Sequence, residues 1–354
     1  MKAHKFNYNW NLKDTIFTKD KGKVFSCFAC GGGSTMGYKL AGFDVIGHND
    51  IDKKMIEVYK ENHKPKFSFH ESITTFAKRK DLPKELYELE ILDGSPPCSS
   101  FSMAGNREKD WGKEKVFREG QELQVLDTLF FDFIDLAKEL QPKVVVAENV
   151  KGLLMGEARQ YVMKIYKAFD EANYYCQHFL LNASKMGVPQ RRERVFFICL
   201  RKDLATKFLH WADMFTQLPK IQMDFNEINI TFKEIEEIGN NVIGEGKMYP
   251  SLLEMWERTN IGDVFTRKSG STAISHYKVD FNKTLNTIIA SENGAFHYKI
   301  PRHLSKKENC LAGSYPLDYN FLNNKSKYLI GMSVPPIMTA QIATNIYEQW
   351  ISKL

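Results

Sequence analysis

Cys98 is the residue whose type and surroundings most directly suggest chemistry. It follows residues 93–97 (Asp-Gly-Ser-Pro-Pro), in which two prolines stiffen a turn at the end of a short apolar segment. A lone cysteine is usually a small buried hydrophobic residue. Here the neighbours Ser99, Ser100 and Ser102 are polar, which favours an exposed thiol that can ionise and act as a nucleophile.

Acid–base and electrostatic groups flank two later apolar runs. Glu148 directly follows the run 144–147, and a carboxylate at such a strand end is a candidate proton donor or hydrogen-bond partner. Arg192 and Arg194 precede the apolar run 195–198. A basic cluster of this kind either serves a reacting group or is a solvated loop, and the residues alone leave both readings open.

Residues 28–33 (Phe-Ala-Cys-Gly-Gly-Gly) form a glycine-rich turn between a predicted strand and a predicted helix. Such a turn lets the backbone approach a ligand closely, although a tight turn without a ligand has the same composition. Tyr38 stands where a phosphate loop needs lysine, which disfavours a nucleoside triphosphate. Asp50 lies just past the next predicted strand, near where doubly wound folds hold ribose hydroxyls with a carboxylate. Asp50 could instead cap the helix beginning at residue 51, and the two roles are compatible.

Cys27 and Cys30 form a Cys-x-x-Cys pair, a pattern shared by metal and redox sites. The sequence has no second cysteine pair at zinc-ribbon spacing and no histidine pair nearby at ligand spacing. We therefore expect no metal site.

Strands and helices that would position these groups alternate over the first two hundred residues. The strand-like segments are 24–29, 43–47, 90–92, 144–147, 174–181 and 194–200. The helix-like segments are 34–41, 51–62, 121–140 and 156–173. This alternation predicts an α/β fold with a mostly parallel sheet and helices on both faces.

The pattern changes after residue 202. The following region is irregular, acidic over residues 226–257 and then basic and rich in hydroxyl groups over residues 264–283. The segment 336–350 regains helical periodicity and is expected to pack back on the sheet. We therefore expect a catalytic and cofactor-binding domain at 1–202, a smaller irregular domain at 203–300, and a returning C-terminal segment at 301–354.

The composition is that of a folded protein in a reducing compartment. The chain has 354 residues, 43 % hydrophobic and 26 % charged, which suits a large domain carrying a smaller one. A net charge of +6 permits a polyanionic partner without demanding one. Six scattered cysteines are unlike a disulfide-stapled module. Because no signal-peptide or membrane-span pattern occurs, we expect a cytoplasmic protein with no membrane partner.

Taken together and in this order, the motifs resemble the cytosine-C5 DNA methyltransferase family over nearly the whole chain except residues 203 to about 284. Three signatures bear chemistry: Pro-Pro-Cys at 96–98, Glu-Asn-Val at 148–150 and Gln-x-Arg-x-Arg at 190–194. Further matches lie at 128–132, 286–291, 302–308 and 331–335. The resemblance implies an S-adenosylmethionine-dependent methyltransferase Rossmann-like fold, with residues 203–300 as a target-recognition domain.

The resemblance also implies a reaction and a set of site residues. A methyl group would move from S-adenosyl-L-methionine to C5 of a cytosine flipped out of DNA, with Cys98 as nucleophile. Glu148 would hydrogen-bond the cytosine ring, Arg192 would bind its O2 edge, and Arg194 would orient Cys98 or neighbouring backbone. The cofactor would contact Phe28, Gly32, Asp50, Ile51, Ile73, Pro97, Leu129 and Ser333. DNA would contact Ser99, Ser102, Gln190, Arg267, Lys268 and Thr272.

Some residues depart from the family's pattern. Ser72 stands where the family places an aspartate that meets the adenine, and Ser99 replaces a glutamine after the nucleophile. The remaining departures are Cys30, Leu311 and Met332. The nucleophile, the glutamate and the arginines are all retained, which favours an active enzyme.

Two alternatives stay open. A tRNA cytosine methyltransferase shares this catalytic core, but its Cys-Phe-Thr tripeptide is matched only by Val-Phe-Thr at residues 264–266. A non-catalytic DNA-binding regulator would account for the departures. The partners expected on the favoured reading are double-stranded DNA and a cognate restriction endonuclease, and the protein is expected to be a monomer.

Overall fold

The structure is a computed structural model, which describes residues 4–97, 114–115, 124–125, 128–156, 158–239, 241–266, 272–291 and 294–354. Of residues 114–115, 124–125, 266 and 272–275 it describes the backbone alone. The strands are β1 Lys23–Cys27, β2 Asp44–Asp50, β3 Phe67–His70, β4 Ile91–Gly94, β5 Glu114–Lys115, β6 Gln124–Val125, β7 Val144–Val150, β8 Tyr174–Asn182, β9 Gln190–Arg191, β10 Glu193–Arg201, β11 Leu209–Trp211, β12 Gln217–Pro219, β13 Val264–Thr266, β14 Thr272–Lys278, β15 Leu285–Asn286 and β16 Gly294–Phe296.

The helices follow the same order along the chain. They are α1 Gly33–Leu40, α2 Lys53–His63, α3 Ile73–Phe76, α4 Leu129–Leu140, α5 Ala158–Glu171, α6 Lys202–Ala205, α7 Pro250–Arg258, α8 Lys306–Ala312, α9 Ser326–Met332 and α10 Pro336–Gln349. Among the helices that the structure describes, none combines the length and the apolar character that crossing a bilayer demands.

The chain divides into two compact units. The sheet unit comprises Phe17–Leu181, Glu193–Asp224 and Ile342–Leu354. The second unit comprises Met1–Ile16, Asn182–Arg192 and Phe225–Gln341. The division predicted at residues 202 and 300 concerns functional roles, and it stays a prediction.

The sheet unit is built on seven strands in the order β3-β2-β1-β4-β7-β10-β8. The pairs β1–β2, β1–β4, β2–β3 and β4–β7 are parallel, whereas β10 runs antiparallel to β7. The predicted α/β fold with a mostly parallel sheet is therefore confirmed. Since parallel strands share one carboxyl edge, the ends of β1, β2, β4 and β7 lie along the same side of the sheet.

Both faces of this sheet are buried, as β7 shows. Val145 and Ala147 belong to the main hydrophobic core, which also contains Phe133 of α4 and Ile165 of α5. Val144 and Val146 point to the opposite face, because successive strand residues alternate, and they are buried as well. The sequence of a strand that is buried on both faces is a continuous apolar run, and this is why residues 144–147 could be predicted as a buried strand.

Two sequence-based element assignments differ from the structure. The helix predicted over 121–140 begins only at Leu129, because the backbone of β6 pairs instead with β5. Strand β3 was not predicted at all. It is a four-residue edge strand with no fully buried residue, so its apolar signal is weak.

Residues 203–300 contain more regular structure than their irregular sequence pattern predicts. Helix α7 and the three-stranded sheet β13-β14-β16 lie within this region. Phe265 and Phe296 are fully buried there, and Met255 and Trp256 pack against them. A small aromatic core therefore supports the middle of this region.

Asp93, near the end of β4, is buried at 4 % exposure among hydroxyl groups. The Oγ atoms of Ser26 and Ser34 each donate to Oδ2 at 2.8 Å, and the Tyr38 hydroxyl donates to Oδ1 at 3.1 Å. These partners lie on β1 and α1, so one carboxyl group joins three elements. Burial raises the pKa of Asp93 to about 6, which exceeds the lowering effect of the three hydrogen bonds.

We expect Asp93 to make stability depend on pH. Because the folded-state pKa is raised, the folded protein holds the proton more tightly, and stability falls as pH rises from about 4 to about 6. In urea unfolding, the wild type should lose about 2–3 kcal/mol relative to Asp93→Asn between these pH values. The control, Asp213→Asn, removes an exposed carboxylate whose pKa is lowered by backbone hydrogen bonds, so its curve should parallel the wild type. A difference between wild type and Asp93→Asn that does not change with pH would contradict the raised pKa.

Candidate active site

The glycine-rich turn after β1 reverses the chain through left-handed backbone conformations. Phe28, Cys30 and Gly32 have φ values of 53°, 48° and 82°. A Cβ atom on Gly32 would lie 2.3 Å from Nε2 of His63, so the close neighbour that requires glycine here is the His63 ring. The same histidine nitrogen lies 3.2 Å from the Gly31 carbonyl oxygen. Residues of α2 therefore hold the turn in place.

Asp50 secures this turn from the end of β2. Its Oδ2 accepts a hydrogen bond from the Cys30 amide at 2.7 Å, and its Oδ1 accepts one from the Asp52 amide at 2.8 Å. Burial raises the pKa of Asp50 to about 6 against the lowering effect of these amides. The alternative that Asp50 caps α2 is wrong: the capping residue is Asp52, which accepts from the amides of Lys54 and Met55.

Several further residues expected at the cofactor lie in the same unit. Phe28, Ile51 and Pro97 are half-buried. Ile73 and Leu129, by contrast, are each only 2 % exposed within the core, so the structure gives them little surface to offer a ligand. Their expected cofactor contacts stay predictions.

Ser72 and Ser333 have structural partners. Ser72, which replaces the expected aspartate, is the N-cap of α3, and its Oγ accepts from the Thr75 amide at 3.2 Å. Serine and aspartate are both good N-caps, so the substitution preserves the helix start. Ser333 belongs to the second unit, where its Oγ accepts a hydrogen bond from the Tyr315 hydroxyl at 2.6 Å.

The cysteine pair in this turn has the character of packed side chains. Cys27 is buried, and burial raises the pKa of its thiol well above the ordinary value. Cys30 is half-buried. Within the residues that the structure describes, no group of three or more histidine, cysteine or acidic side chains could hold a metal ion.

The segment that leads to Cys98 is fixed up to Pro97. A Cβ atom on Gly94 would lie 2.5 Å from the Phe133 ring, so only glycine allows this approach to α4. The side-chain amide of Asn149 donates to the Pro96 carbonyl at 3.3 Å. Cys98 itself lies outside the described residues, as do Ser99, Ser102, Arg267 and Lys268, while only the backbone of Thr272 is described.

Glu148 and Arg194 form an ion pair between the neighbouring strands β7 and β10. Nε of Arg194 lies 2.9 Å from Oε1 of Glu148, and the two side chains are only 16 % and 12 % exposed. Phe196 is opposite Glu148 in the ladder, so Arg194 occupies the diagonal position on the same face. The Arg194 guanidinium orients Glu148, and its expected role towards Cys98 or the backbone near it stays a prediction.

Arg192 and Gln190 are buried in the second unit. Arg192 is 2 % exposed and donates to the carbonyl oxygens of Ile288 at 3.2 Å and Gly331 at 3.0 Å. Gln190 is fully buried; its amide nitrogen donates to Ala312 O at 2.9 Å, and its amide oxygen accepts from Ile288 N. The polar atoms of the Gln190 side chain thus bind the protein backbone in this structure, and its expected contact with DNA stays a prediction.

Two site residues escaped the reasoning from sequence. Asp93 is the one charged residue of the buried strand β4, and a charge in an otherwise uncharged strand could have marked it as a candidate site residue. Asn149 is adjacent to Glu148, but its bond to Pro96 joins positions far apart in the sequence. No local pattern shows such a pairing.

Comparison with known proteins identifies this fold and this order of motifs. The family model for C-5 cytosine-specific DNA methylases matches residues 22–348 of the chain. This match covers most of the chain, including both motifs at the ends of β4 and β7. The chain belongs to the C-5 cytosine-specific DNA methylase family.

Two bacterial relatives show how far the similarity extends. The chain is 38 % identical over 183 residues to the Type II methyltransferase M.FnuDI of Fusobacterium nucleatum, which covers 51 % of this chain and 48 % of that protein. It is 25 % identical over 346 residues to M.NgoFVII of Neisseria gonorrhoeae, which covers 93 % of this chain and 87 % of that protein. The chain thus spans about half the length of the first relatives that it matches.

A solved structure has the same fold. It is described as a candidate DNA modification methyltransferase encoded within an E. coli prophage, with a TM-score of 0.65 and 21 % identity. The match covers 92 % of this chain and 99 % of that chain. At this identity the likeness supports the architecture only.

The Glu148–Arg194 pair should show strong energetic coupling. In a double-mutant cycle with Glu148→Gln and Arg194→Met, measured by urea unfolding, we expect a coupling energy of about 1–3 kcal/mol, since each single change leaves a buried charge without its partner. The control is the pair of Lys151, the residue after β7, with Glu193, the first residue of β10. Their charged atoms lie 2.8 Å apart, but the side chains are 47 % and 42 % exposed. Its coupling should stay below about 1 kcal/mol. Equal coupling in both pairs would mean that burial does not strengthen the Glu148 contact.

Proposed function

We propose that this chain is a DNA cytosine-C5 methyltransferase that uses Cys98 as a covalent nucleophile. One observation carries the proposal: Glu148 is oriented by Arg194 at the end of β7, and the next residue, Asn149, holds the Pro96 carbonyl. A candidate acid and the segment leading to a candidate nucleophile are thereby fixed to one strand end. Family membership supports the same reaction.

The chemistry explains why a thiolate is needed. C5 of cytosine is too electron-poor to attack a methyl donor directly. The Cys98 thiolate adds to C6, the S–C6 bond forms, and the electron pair moves to C5 as the ring gains a proton at N3. S-adenosylmethionine, when bound, would supply the electrophilic methyl group that C5 takes up, and S-adenosylhomocysteine would be the leaving group. A base then removes the C5 proton, the S–C6 bond breaks and N3 loses the proton that it gained, so the thiolate and a neutral ring are restored.

Glu148 would hydrogen-bond N3 and the exocyclic amine of the cytosine, which favours addition of the thiolate. Because Oε1 of Glu148 meets Arg194, we assign Oε2 to the base. The contact of Arg192 with O2 stays a prediction from the resemblance. Arg194 lies beside Glu148, so its guanidinium can offset negative charge there.

The residues around Asp50 fit the cofactor that the family implies. A carboxylate can accept about four hydrogen bonds, and the backbone amides of Cys30, Asp52 and Ile51 contact that of Asp50. The remaining capacity would serve a ribose hydroxyl, and Phe28 and Ile51 are half-buried apolar neighbours. Gly32, Ile73, Pro97, Leu129 and Ser333 complete the proposed set.

The substrate that we propose is duplex DNA. A stacked cytosine is out of reach of any active-site thiol, so the base must be flipped out. Residues 203–300 would read the site in the major groove, where base edges are distinguishable. Arg267, Lys268 and Thr272 are the proposed contacts, together with Ser99 and Ser102. Monomeric state, cytoplasmic location and pairing with a restriction endonuclease are further expectations.

Asp50 offers a test of the cofactor assignment. S-adenosylmethionine should bind without DNA, and Asp50→Ala should raise its dissociation constant by a factor corresponding to about 1–3 kcal/mol, because a charged hydrogen-bond acceptor is lost. Asp44→Ala at the other end of β2, where the carboxylate forms an exposed pair with Lys19, is the control and should bind as the wild type does. Calorimetry that finds equal affinities for both variants would remove Asp50 from the site.

Cys98 can be tested by trapping. Fluorine at C5 cannot leave as a cation, so an oligonucleotide duplex with 5-fluorocytosine at the target should remain bonded to the protein when S-adenosylmethionine is present. Peptide mass spectrometry should place the adduct on Cys98, and Cys98→Ser should abolish it because a serine hydroxyl is hardly ionised near pH 7. Glu148→Ala should slow trapping strongly, whereas Cys310→Ser should not.

The same experiment separates the alternatives. A tRNA containing 5-fluorocytosine should give no adduct, and an adduct with tRNA alone would replace DNA by tRNA as the substrate. No adduct with either nucleic acid would favour the non-catalytic regulator. An adduct on Cys27, Cys30 or Cys310 would show that the nucleophile is assigned wrongly.

A further inference from the structure

Residues 4–14 precede the region that the family model matches, yet they are bound into the second unit. We call them the N-terminal strap. Trp10 is 8 % exposed, and its indole nitrogen donates to the Ser314 carbonyl at 2.9 Å. The Trp10 carbonyl in turn accepts from the Leu317 amide at 2.9 Å. One tryptophan thus bonds to both ends of the turn 314–317.

A second contact holds the same turn. The carboxylate of Asp318 accepts from the amide of Leu12 at 2.7 Å and from that of Lys13 at 3.0 Å. At its other end the strap is anchored by His4, whose Nδ1 lies 2.7 Å from Glu227 Oε2. The strap is therefore held along its length by specific hydrogen bonds, unlike a loosely attached terminus.

The turn that the strap holds is strained and connects to a predicted cofactor residue. Ser314 has φ = 52°, a left-handed conformation that a non-glycine residue adopts only when neighbouring contacts impose it. Its Oγ accepts from the Ile337 amide in the first turn of α10 at 3.2 Å. The next residue, Tyr315, is fully buried, and its hydroxyl donates to Oγ of Ser333 at 2.6 Å.

We propose that the N-terminal strap is a positioning element for Ser333. Trp10 fixes the Ser314 turn, the turn fixes Tyr315, and Tyr315 sets the rotamer of Ser333 just before α10. This proposal rests on the proposed function, in which Ser333 contacts S-adenosylmethionine. The strap then influences cofactor affinity although it lies outside the residues that the family model matches. Every contact in this chain lies within the second unit.

The test removes one hydrogen-bond donor at each end of this connection. Trp10→Phe keeps an aromatic ring but removes the donor to Ser314, and Tyr315→Phe removes the donor to Ser333. Each should raise the dissociation constant for S-adenosylmethionine about three- to tenfold, the loss expected for one hydrogen bond. The double variant should be little weaker than either single one, because both changes break the same connection. Asp318→Asn, which weakens the second contact, should act in the same direction if Trp10→Phe folds poorly.

The control is Trp350→Phe, which removes a tryptophan–carbonyl hydrogen bond of 2.8 Å to Lys220 in the sheet unit. It should lower the unfolding midpoint but leave cofactor affinity unchanged. Wild-type affinity in both Trp10→Phe and Tyr315→Phe would overturn the proposal, as would an equal loss in Trp350→Phe.

A readout without cofactor keeps this proposal separate from the proposed function. In hydrogen–deuterium exchange, Trp10→Phe should speed exchange over residues 312–337, and Trp350→Phe should not. If the wild type fails to bind S-adenosylmethionine, the proposed function fails, while exchange still decides whether the strap positions Ser333. Unchanged exchange over 312–337 in Trp10→Phe would show that the strap holds nothing there.

Discussion

The buried carboxyl group of Asp93 is the contact on which the arrangement of the candidate site depends. Ser26 and Ser34 flank the glycine-rich turn, one before it and one after it, and both donate to the same Oδ2 atom. The two ends of the turn are therefore tied to β4. Because β4 continues directly into the Pro-Pro-Cys segment, the glycine-rich turn proposed for the cofactor and the segment leading to Cys98, the proposed nucleophile, share one anchor. Moving either would break hydrogen bonds to a buried acid, which is costly in a protein interior.

The end of β7 adds the complementary constraint. Successive residues of a strand point to opposite sides, and the Glu-Asn pair uses both. Glu148 meets Arg194 across the ladder, and Asn149 bonds to the Pro96 carbonyl on the adjacent β4 side. One strand end thus fixes Glu148 and the segment that leads to Cys98 in relation to each other. The Glu-Asn-Val and Pro-Pro-Cys motifs are therefore physically connected through Asn149 and Pro96.

Sequence alone indicated the sheet, because strands buried on both faces, such as β7, are continuous apolar runs. It also placed Asp50 and Glu148 at strand ends, where turn chemistry is visible locally. It did not show that Arg194 pairs with Glu148, that Gln190 is buried against Ala312, or that Leu129 lies in the core. Those facts depend on which distant segments become neighbours. Strand β3 and the late start of α4 were not predicted for a related reason: pairing between strands outweighs a weak local preference for another secondary structure.

Asp50 and Asp93 together hold the candidate site in shape. Asp50 and Asp93 both have pKa values raised to about 6 by burial, so ionising them near neutral pH works against folding. The hydrogen bonds that each acid accepts act in the opposite direction, because the donor groups would otherwise lack partners in the interior. A turn with three left-handed residues is held in shape by these bonds before any ligand arrives. Because the turn is already ordered, less conformational entropy is lost when a ligand binds there. This is the expected physical basis for cofactor binding in the absence of DNA.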